Sequence, residues 1–387
     1  MQIQPFTLER YFATYEFKAE ALLSASDCES LTLAELLALA DDETRLMWEG
    51  LRLGYTESQG HPALRDEVTR LYGTIVPEDV LIAAPEEAIF IAMHALLEPG
   101  DHVIVLDPAY QSLYALAERL GCRVTRWPLA QEGTGWHLDT AFLDDHLMRD
   151  TKLIVINFPH NPTGHIISRD ELDHIVAKAQ SCGAYIFSDE MYRMLEVDPA
   201  QRLPSVCDLC VRGIALSGLS KAYGLPGLRI GWLATRDASL MERFIIWHDY
   251  TTICNGAPSE LLAIMALRAG PSILDRNRGL LRDNLRLAEA YFSQRQAFFD
   301  WLPPLGGSVA FPKWLHAGAS VQDFCRGALE SQSLMIVPGD AFDFPGAHFR
   351  VGLGRADFAA ALGKLEAYLS DLASSSQAGQ RNGSVNS

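Results

Sequence analysis

KLIVINFPHNPTGHIISRDELDHIVAKAQSCGAYIFSDE, residues 152–190, contains a complete fold-defining unit. Lys152–Asn157 is a short, mostly apolar run, which predicts a strand buried on both faces. After a break containing Pro159, Pro162 and Gly164, Ser168–Cys182 reads as a helix closed by Gly183, and Ala184–Ser188 as a second strand. Strand, helix and strand within forty residues is a βαβ unit, which requires a parallel sheet.

The same alternation extends in both directions. Asp79–Ala83 and His102–Leu106 read as strands, Glu86–Leu97 and Tyr110–Leu120 as helices, and Gly213–Ser217 and Arg229–Ala234 as further strands. This predicts an α/β fold, with a mainly parallel sheet covered by helices on both faces. Such sheets hold their ligands beyond the carboxyl ends of the strands. Asn157–Asn161, Asp189 with Tyr192, and Ser217–Lys221 all fall there. The first forty residues read as largely helical, with Leu31–Asp41 the clearest stretch. Past a helical region at 259–295 the pattern changes: Phe311–Trp314, a helix over Val321–Gln332, and strands at Leu334–Val337 and Phe349–Leu353 predict a smaller α+β lobe. The tail from Ser374 is poor in apolar residues and is expected to be disordered.

Composition narrows the function. Thirty-two Lys and Arg against 49 Asp and Glu give a net charge of −17, which argues against nucleic acid or an anionic membrane surface as partner. The longest apolar stretches are interrupted by Glu98, Asp101 and Asp107, so no membrane span is expected. The start, MQIQPFTLERYF, lacks the pattern of a secretory leader. Seven scattered cysteines fit reduced thiols in the cytoplasm. Cys207 and Cys210 have C-x-x-C spacing, but a zinc site needs two further ligands, which do not follow. Glycine-rich dinucleotide and phosphate loops, H-E-x-x-H and G-x-S-x-G are also missing from the sequence.

What remains is SGLSKAYGLPGLR, residues 217–229. Lys221 follows a buried strand, and the only other charge in the stretch is Arg229. A desolvated amine near a second cation has a lowered pKa, which suits Schiff-base chemistry.

This block resembles the lysine segment of fold-type I, pyridoxal-phosphate-dependent aminotransferases of class I/II. Other stations of that family follow in order over residues 54–353. Phe158–Gly164 is similar to its N-P-T-G turn, Asp189–Tyr192 to its D-E-x-Y strand end, and Asp107–Tyr110 to the segment that offers an aromatic face to the cofactor. Gly54–Tyr55 with Gly60–Arg65 resembles the loop that crosses to a partner subunit, and Val337–Phe342 with Phe349–Leu353 the carboxylate-binding end.

The resemblance implies a 46–275 cofactor domain and a 276–373 small domain. Residues 1–45 would join the small domain and the site entrance, ahead of a 374–387 tail. Lys221 would carry the pyridoxal phosphate aldehyde and shuttle protons. Asp189 would pair with the pyridine nitrogen, Tyr192 and Asn161 would bond the ring oxygen, and Tyr110 would stack on the ring. Ser220 and Arg229 would grip the phosphate, with Ser217 as a possible helper or simply the end of the strand. Arg350, with Asn161, would bind the substrate α-carboxylate. Tyr55 would reach a neighbour's phosphate in a homodimer with shared sites.

One station departs from the family. Where a small glycine-containing turn is usual, the chain reads Ala84-Pro85-Glu86-Glu87-Ala88. Pro85 has no N–H to give, so Glu86 and Glu87 are expected to offer backbone N–H groups to the phosphate and to turn their carboxylates away. The implied reaction moves an amino group from an amino acid to a 2-oxo acid. A second reading stays open. Leu8–Phe12, Leu33–Leu36 and the lysine block also resemble capreomycidine synthase and related arginine-acting enzymes, which eliminate, cyclise or oxidise.

Overall fold

The computed structural model describes residues 3–383. In chain order the strands are β1 Ala21–Leu22, β2 Val80–Ala83, β3 His102–Asp107, β4 Arg123–Glu132 and β5 Gly135–Leu138. They continue as β6 Thr151–Asn157, β7 Tyr185–Asp189, β8 Gly213–Gly218 and β9 Gly231–Ala234. Eight of these form one sheet in the order β2-β9-β8-β7-β6-β3-β4-β5. The five strands from β8 to β4 pair in parallel; β9 runs antiparallel to both neighbours, and β5 folds back on β4. The fold is therefore the expected α/β layer structure. Alternate residues divide between two cores: Val103, Val105 and Val155 on one face, Ile104, Leu106, Ile154 and Ile156 on the other.

Helix Arg169–Cys182 shows why the central unit was legible. Ser168 Oγ accepts the Glu171 N–H at 3.2 Å, the Glu171 carboxylate accepts the Ser168 N–H at 2.6 Å, and Gly183 ends the helix at φ 75°. β4 and β5 were not read from the sequence. β4 mixes charge and exposed positions and contains Pro128, as suits a strand near a sheet edge.

A small lobe follows helices Ala257–Arg268 and Gly270–Ser293. It carries β10 Phe299–Asp300, β11 Val309–Ala310, β12 Lys313–Trp314, β13 Leu334–Met335, β14 Val337–Pro338 and β15 Phe349–Gly352. The N-terminal segment joins it through the parallel pairing of β1 with β13. Among its described residues that segment is helical at Thr7–Tyr15 and Leu33–Ala38 and enters a third helix, Asp42–Glu49; residues 23–31, expected within a helical stretch, run irregularly. The last helix, Phe358–Gly383, continues past Ser374, where a disordered tail was expected. A growing helix needs no new nucleus, so a polar stretch without proline extends it. Residues 384–387 lie outside the described residues.

Two glycine contacts fix the layers near the cavity. Gly218 and Gly231 face each other across β8 and β9, and a Cβ on Gly231 would lie 2.7 Å from Ser217 O and 2.9 Å from Pro85 Cγ. Helix Pro85–Leu96 can therefore begin against the sheet. On β15, a Cβ on Gly352 would lie 1.8 Å from the Ala25 carbonyl oxygen. Gly352→Ala is expected to destabilise the protein by about 3 kcal/mol, read as a lower midpoint of denaturant unfolding.

Candidate active site

β6, β7 and β8 end side by side: Asn157 pairs with Asp189, and Asp189 with Leu216. Beyond these carboxyl ends lies a cavity of about 730 Å³. Glu86, Tyr110, Asn161, Asp189, Tyr192, Ser220, Lys221, Arg229 and Arg350 all line it. Residues scattered over 265 positions of sequence, from Glu86 to Arg350, thus meet in one place.

Lys221 follows β8 in a turn secured by Leu219 N–H to Ile230 O (3.0 Å) and Gly224 N–H to Lys221 O (3.1 Å). Its Nζ donates to Ser26 Oγ at 2.7 Å. Burial lowers the amine's pKa; the Asp27, Asp189 and Glu9 charges oppose that shift and Arg350 adds to it. Burial pushes the Asp189 carboxyl up to about 6, against the Met191 N–H that donates to Oδ1 at 3.1 Å and the charge of Lys221. Asn157 braces this corner, donating through Nδ2 to Asp189 O (2.8 Å) and accepting the Asn161 N–H on Oδ1 (2.8 Å). The Tyr192 hydroxyl is buried with only the Ser26 side chain beside it among the described residues, and burial raises its pKa.

Arg350 is 1% exposed. Nε and Nη2 donate to Ser24 O at 3.1 and 2.9 Å, and Nη1 points to Asn161 Oδ1 at 3.4 Å. Phe12 and Phe342 flank the guanidinium at 5.6 and 5.3 Å from their ring centres. Among the described residues no carboxylate forms an ion pair with it. Tyr110 packs on Phe6 (ring centres 4.8 Å apart) and donates its hydroxyl to Glu9 Oε1 at 2.8 Å. Behind it, buried His160 has its pKa lowered to about 3, so the ring is neutral: Nε2–H donates to Pro108 O at 2.8 Å, and Nδ1 accepts from Thr163 Oγ1 at 2.8 Å.

At the other end of the cavity, Arg229 sits in the left-handed region at φ 55°, and its exposed guanidinium donates to Pro226 O at 3.0 Å. Ser220 Oγ is buried and has no hydrogen-bond partner among the described residues. Ser217 lies within β8, 3.5 Å from Glu190 O, and does not line the cavity. The two glutamates that open helix Pro85–Leu96 separate. Glu87 turns away, accepting from Thr251 Oγ1 and, at 2.7 Å, from Thr252 Oγ1. Glu86, expected to do the same, instead lines the cavity: it accepts from Ser112 Oγ at 3.2 Å, and burial raises its pKa to about 7. Partial protonation offsets the repulsion that made an inward glutamate unexpected. Tyr55 is 92% exposed and lies away from this chain's own cavity. Cys207 and Cys210 are buried free thiols, and no metal-holding cluster of His, Cys, Asp or Glu occurs among the described residues.

The N-terminal segment, expected at the entrance and quoted there only for the resemblance of Leu8–Phe12 and Leu33–Leu36, contributes individual side chains to the site. Glu9, Phe12, Glu16, Ser26 and Asp27 line the cavity wall. The available signal was the polar run Ser24–Asp27 after apolar Ala21–Leu23, but it lies about 195 residues from Lys221, and only folding brings the two together.

Fold and cavity together define a lysine-centred α/β enzyme. The sequence profile of the aminotransferase class I and II family matches residues 22–360, and the chain belongs to that family. Capreomycidine synthase of Streptomyces vinaceus is 31% identical over 350 residues, 87% of this chain and 86% of that one. A pyridoxal-phosphate-dependent aminotransferase from Streptococcus suis 89-1591 superposes with a TM-score of 0.89 at 33% identity, covering 96% of this chain and 99% of its own. The pyridoxal-phosphate-dependent cyclase OrfR gives 0.87 at 26% identity, covering 96% and 98%.

Pyridoxal phosphate is the cofactor of this family, and the cavity fits it. A lysine amine is present, and a buried carboxyl lacks the cation that a pyridinium would supply. The buried Ser220 hydroxyl has no hydrogen-bond partner among the described residues. No helix among the described residues is long and apolar enough to cross a membrane.

Proposed function

We propose that the chain transfers the α-amino group of an amino acid to a 2-oxo acid, with Lys221 as the residue that carries the cofactor covalently. The observation that bears most weight is Arg350: a buried guanidinium without a carboxylate partner among the described residues, facing the same cavity as Lys221. An uncompensated buried cation is costly, and an amino acid's α-carboxylate would compensate it.

When bound, pyridoxal phosphate supplies an electron sink for the carbanion formed at the substrate's Cα. Lys221, freed by the incoming amine, takes and returns the Cα proton. Burial lowers its pKa, which favours the neutral amine that a base must be. Asp189 would pair with the pyridine nitrogen and keep it protonated. Tyr192 and Asn161 would bond the ring oxygen, Tyr110 would cover the ring, and Ser220, Arg229 and the Glu86 and Glu87 N–H groups would hold the phosphate. Arg350 and Asn161 would fix the α-carboxylate and so hold Cα within reach of the Lys221 amine. Borohydride reduction and peptide mapping should place the cofactor on Lys221. Purified enzyme given single amino acids should then convert bound cofactor to the pyridoxamine form without releasing ammonia. A label elsewhere would defeat the assignment.

The same reading makes residues 46–275 the cofactor domain and 276–373 the small domain, with 1–45 joining the small domain. It also makes the chain a cytoplasmic homodimer. Exposed Leu53, Tyr55 and Tyr250 support a partner's cover: their two loops are tied together by Thr56 Oγ1 to Asn255 O at 3.3 Å. Light scattering is expected to give the mass of two chains.

One feature favours the second reading, elimination or cyclisation of an arginine derivative. Glu9, Glu16 and Asp27 place three carboxylates on the N-terminal wall, which suits a cationic side chain. Ammonia or a cyclised product from arginine derivatives would select that reaction over transfer.

A further inference from the structure

Residues 24–28 cross from the small lobe to the lysine, and their backbone is pinned from the far side. Gly352 N–H donates to Leu23 O at 2.7 Å, Glu29 N–H to Gly354 O at 2.7 Å, and Ser308 Oγ to Ser26 O at 2.6 Å. Arg350 holds the Ser24 carbonyl by two bonds. With its carbonyl engaged, Ser26 presents its hydroxyl to the cavity, where Oγ accepts from Lys221 Nζ at 2.7 Å. The same side chain also interacts with the buried Tyr192 hydroxyl. Asp27 lines the cavity too, and Arg355 Nη2 holds its carboxylate at 3.2 Å.

We propose that Ser26 and Asp27 are positioning residues for the Lys221 amine: the serine hydroxyl fixes where Nζ sits, and the Asp27 carboxylate, anchored by Arg355 on the same cavity wall, is the fixed counter-charge for that amine. The proposal rests on the reading of Lys221 given above.

A hydroxyl that accepts an N–H turns the lone pair of a neutral amine away from itself. Here that aims the base into the cavity, toward a Cα held by Arg350. When the amine takes the proton from Cα, a cation forms inside a buried site, and the fixed Asp27 charge stabilises it without reorganisation. Asp27 acts among several groups that face the amine: Asp189, Glu9 and Glu16 are acidic, Arg350 is cationic, and Cys28 and Tyr192 are weak acids. Of the charges on the amine, Asp27 acts most strongly. Because Ser24 is bonded to Arg350, the site for the carboxylate and the partner of the base lie on one short stretch of backbone.

The test uses the holoenzyme and reads more than rate. Ser26→Ala is expected to lower kcat about tenfold with little change in KM, and Ser26→Thr to restore most of it. Asp27→Asn is expected to shift the pH midpoint of the bound cofactor's absorbance change down by about one unit. Reductive methylation of Lys221 in the full chain stripped of cofactor, followed by mass spectrometry, should show its midpoint falling in the same direction. If Asp27→Asn does not fold, the midpoints of Ser26→Ala and Ser26→Thr decide, with a fall expected only in the alanine variant. Wild-type kcat in Ser26→Ala, or a loss that threonine does not restore with both midpoints unmoved, overturns the proposal. Failure of the Lys221 assignment is separable: borohydride would then label another residue, while the methylation midpoint would still report whether Asp27 acts on this amine.

Discussion

Lys221→Ala is expected to lose at least about 10⁴-fold in turnover, because one substitution removes both the covalent attachment and the base that moves the Cα proton. The protein should still fold. Lys221 is the only charged side chain leaving the turn after β8, and that turn is held by backbone bonds at Leu219, Gly224 and Leu225. A small primary amine supplied in the medium should recover part of the rate, since the space vacated opens on the 730 Å³ cavity. Lys221→Arg should not recover it, because a guanidinium stays protonated at any working pH. Single-turnover mixing with an amino acid checks both. Turnover by Lys221→Ala within tenfold of wild type would falsify the central assignment.

Asp189→Ala is expected to cost about 10³-fold in turnover with a smaller effect on substrate KM, because its charge matters most when electrons flow into the ring. Asp189→Glu should retain more activity than Asp189→Ala. A linked effect on stability has a definite sign. In the cofactor-free chain the Asp189 carboxyl titrates at about 6, above its usual 3.8. The folded state therefore holds this proton more tightly than the unfolded chain, and stability falls as pH rises from about 4 to about 6 and stays lower above that. The difference corresponds to roughly 3 kcal/mol at most. Cofactor-free Asp189→Asn is thus expected to be more stable than wild type at pH 8 and to show no such gain at pH 4. Bound cofactor should reverse the order at pH 8 by giving the carboxylate its cation. Denaturant unfolding at the two pH values, with and without pyridoxal phosphate, reads this out.

How far the sequence could be read followed the physical range of each signal. Strands buried on both faces appear as uninterrupted apolar runs, so β3, β6, β7 and β8 were visible; β4 and β5, half exposed at one edge, were not. Motifs that act within a dozen residues, such as Lys221 to Arg229 and Asp189 to Tyr192, were legible for the same reason. The glutamates of helix Pro85–Leu96 mark the limit. Both are expected from sequence to turn away from the cavity, but Glu86 faces inward, a choice made by Thr251, Thr252 and Ser112, contributed by other elements.

The sequence by itself determined the layer order, the lysine, and the strand ends that carry Asn161, Asp189 and Tyr192, because periodicity and short turns are local properties of a chain. Only the tertiary structure decided what completes the cavity. The wall bearing Glu9, Ser26 and Asp27 arrives from the far end of the chain, through β1 pairing with β13 and the Ala25 carbonyl packed on Gly352. Contacts between residues hundreds of positions apart leave no periodic trace, because they are selected by the packing of two lobes and not by the conformational preference of either segment.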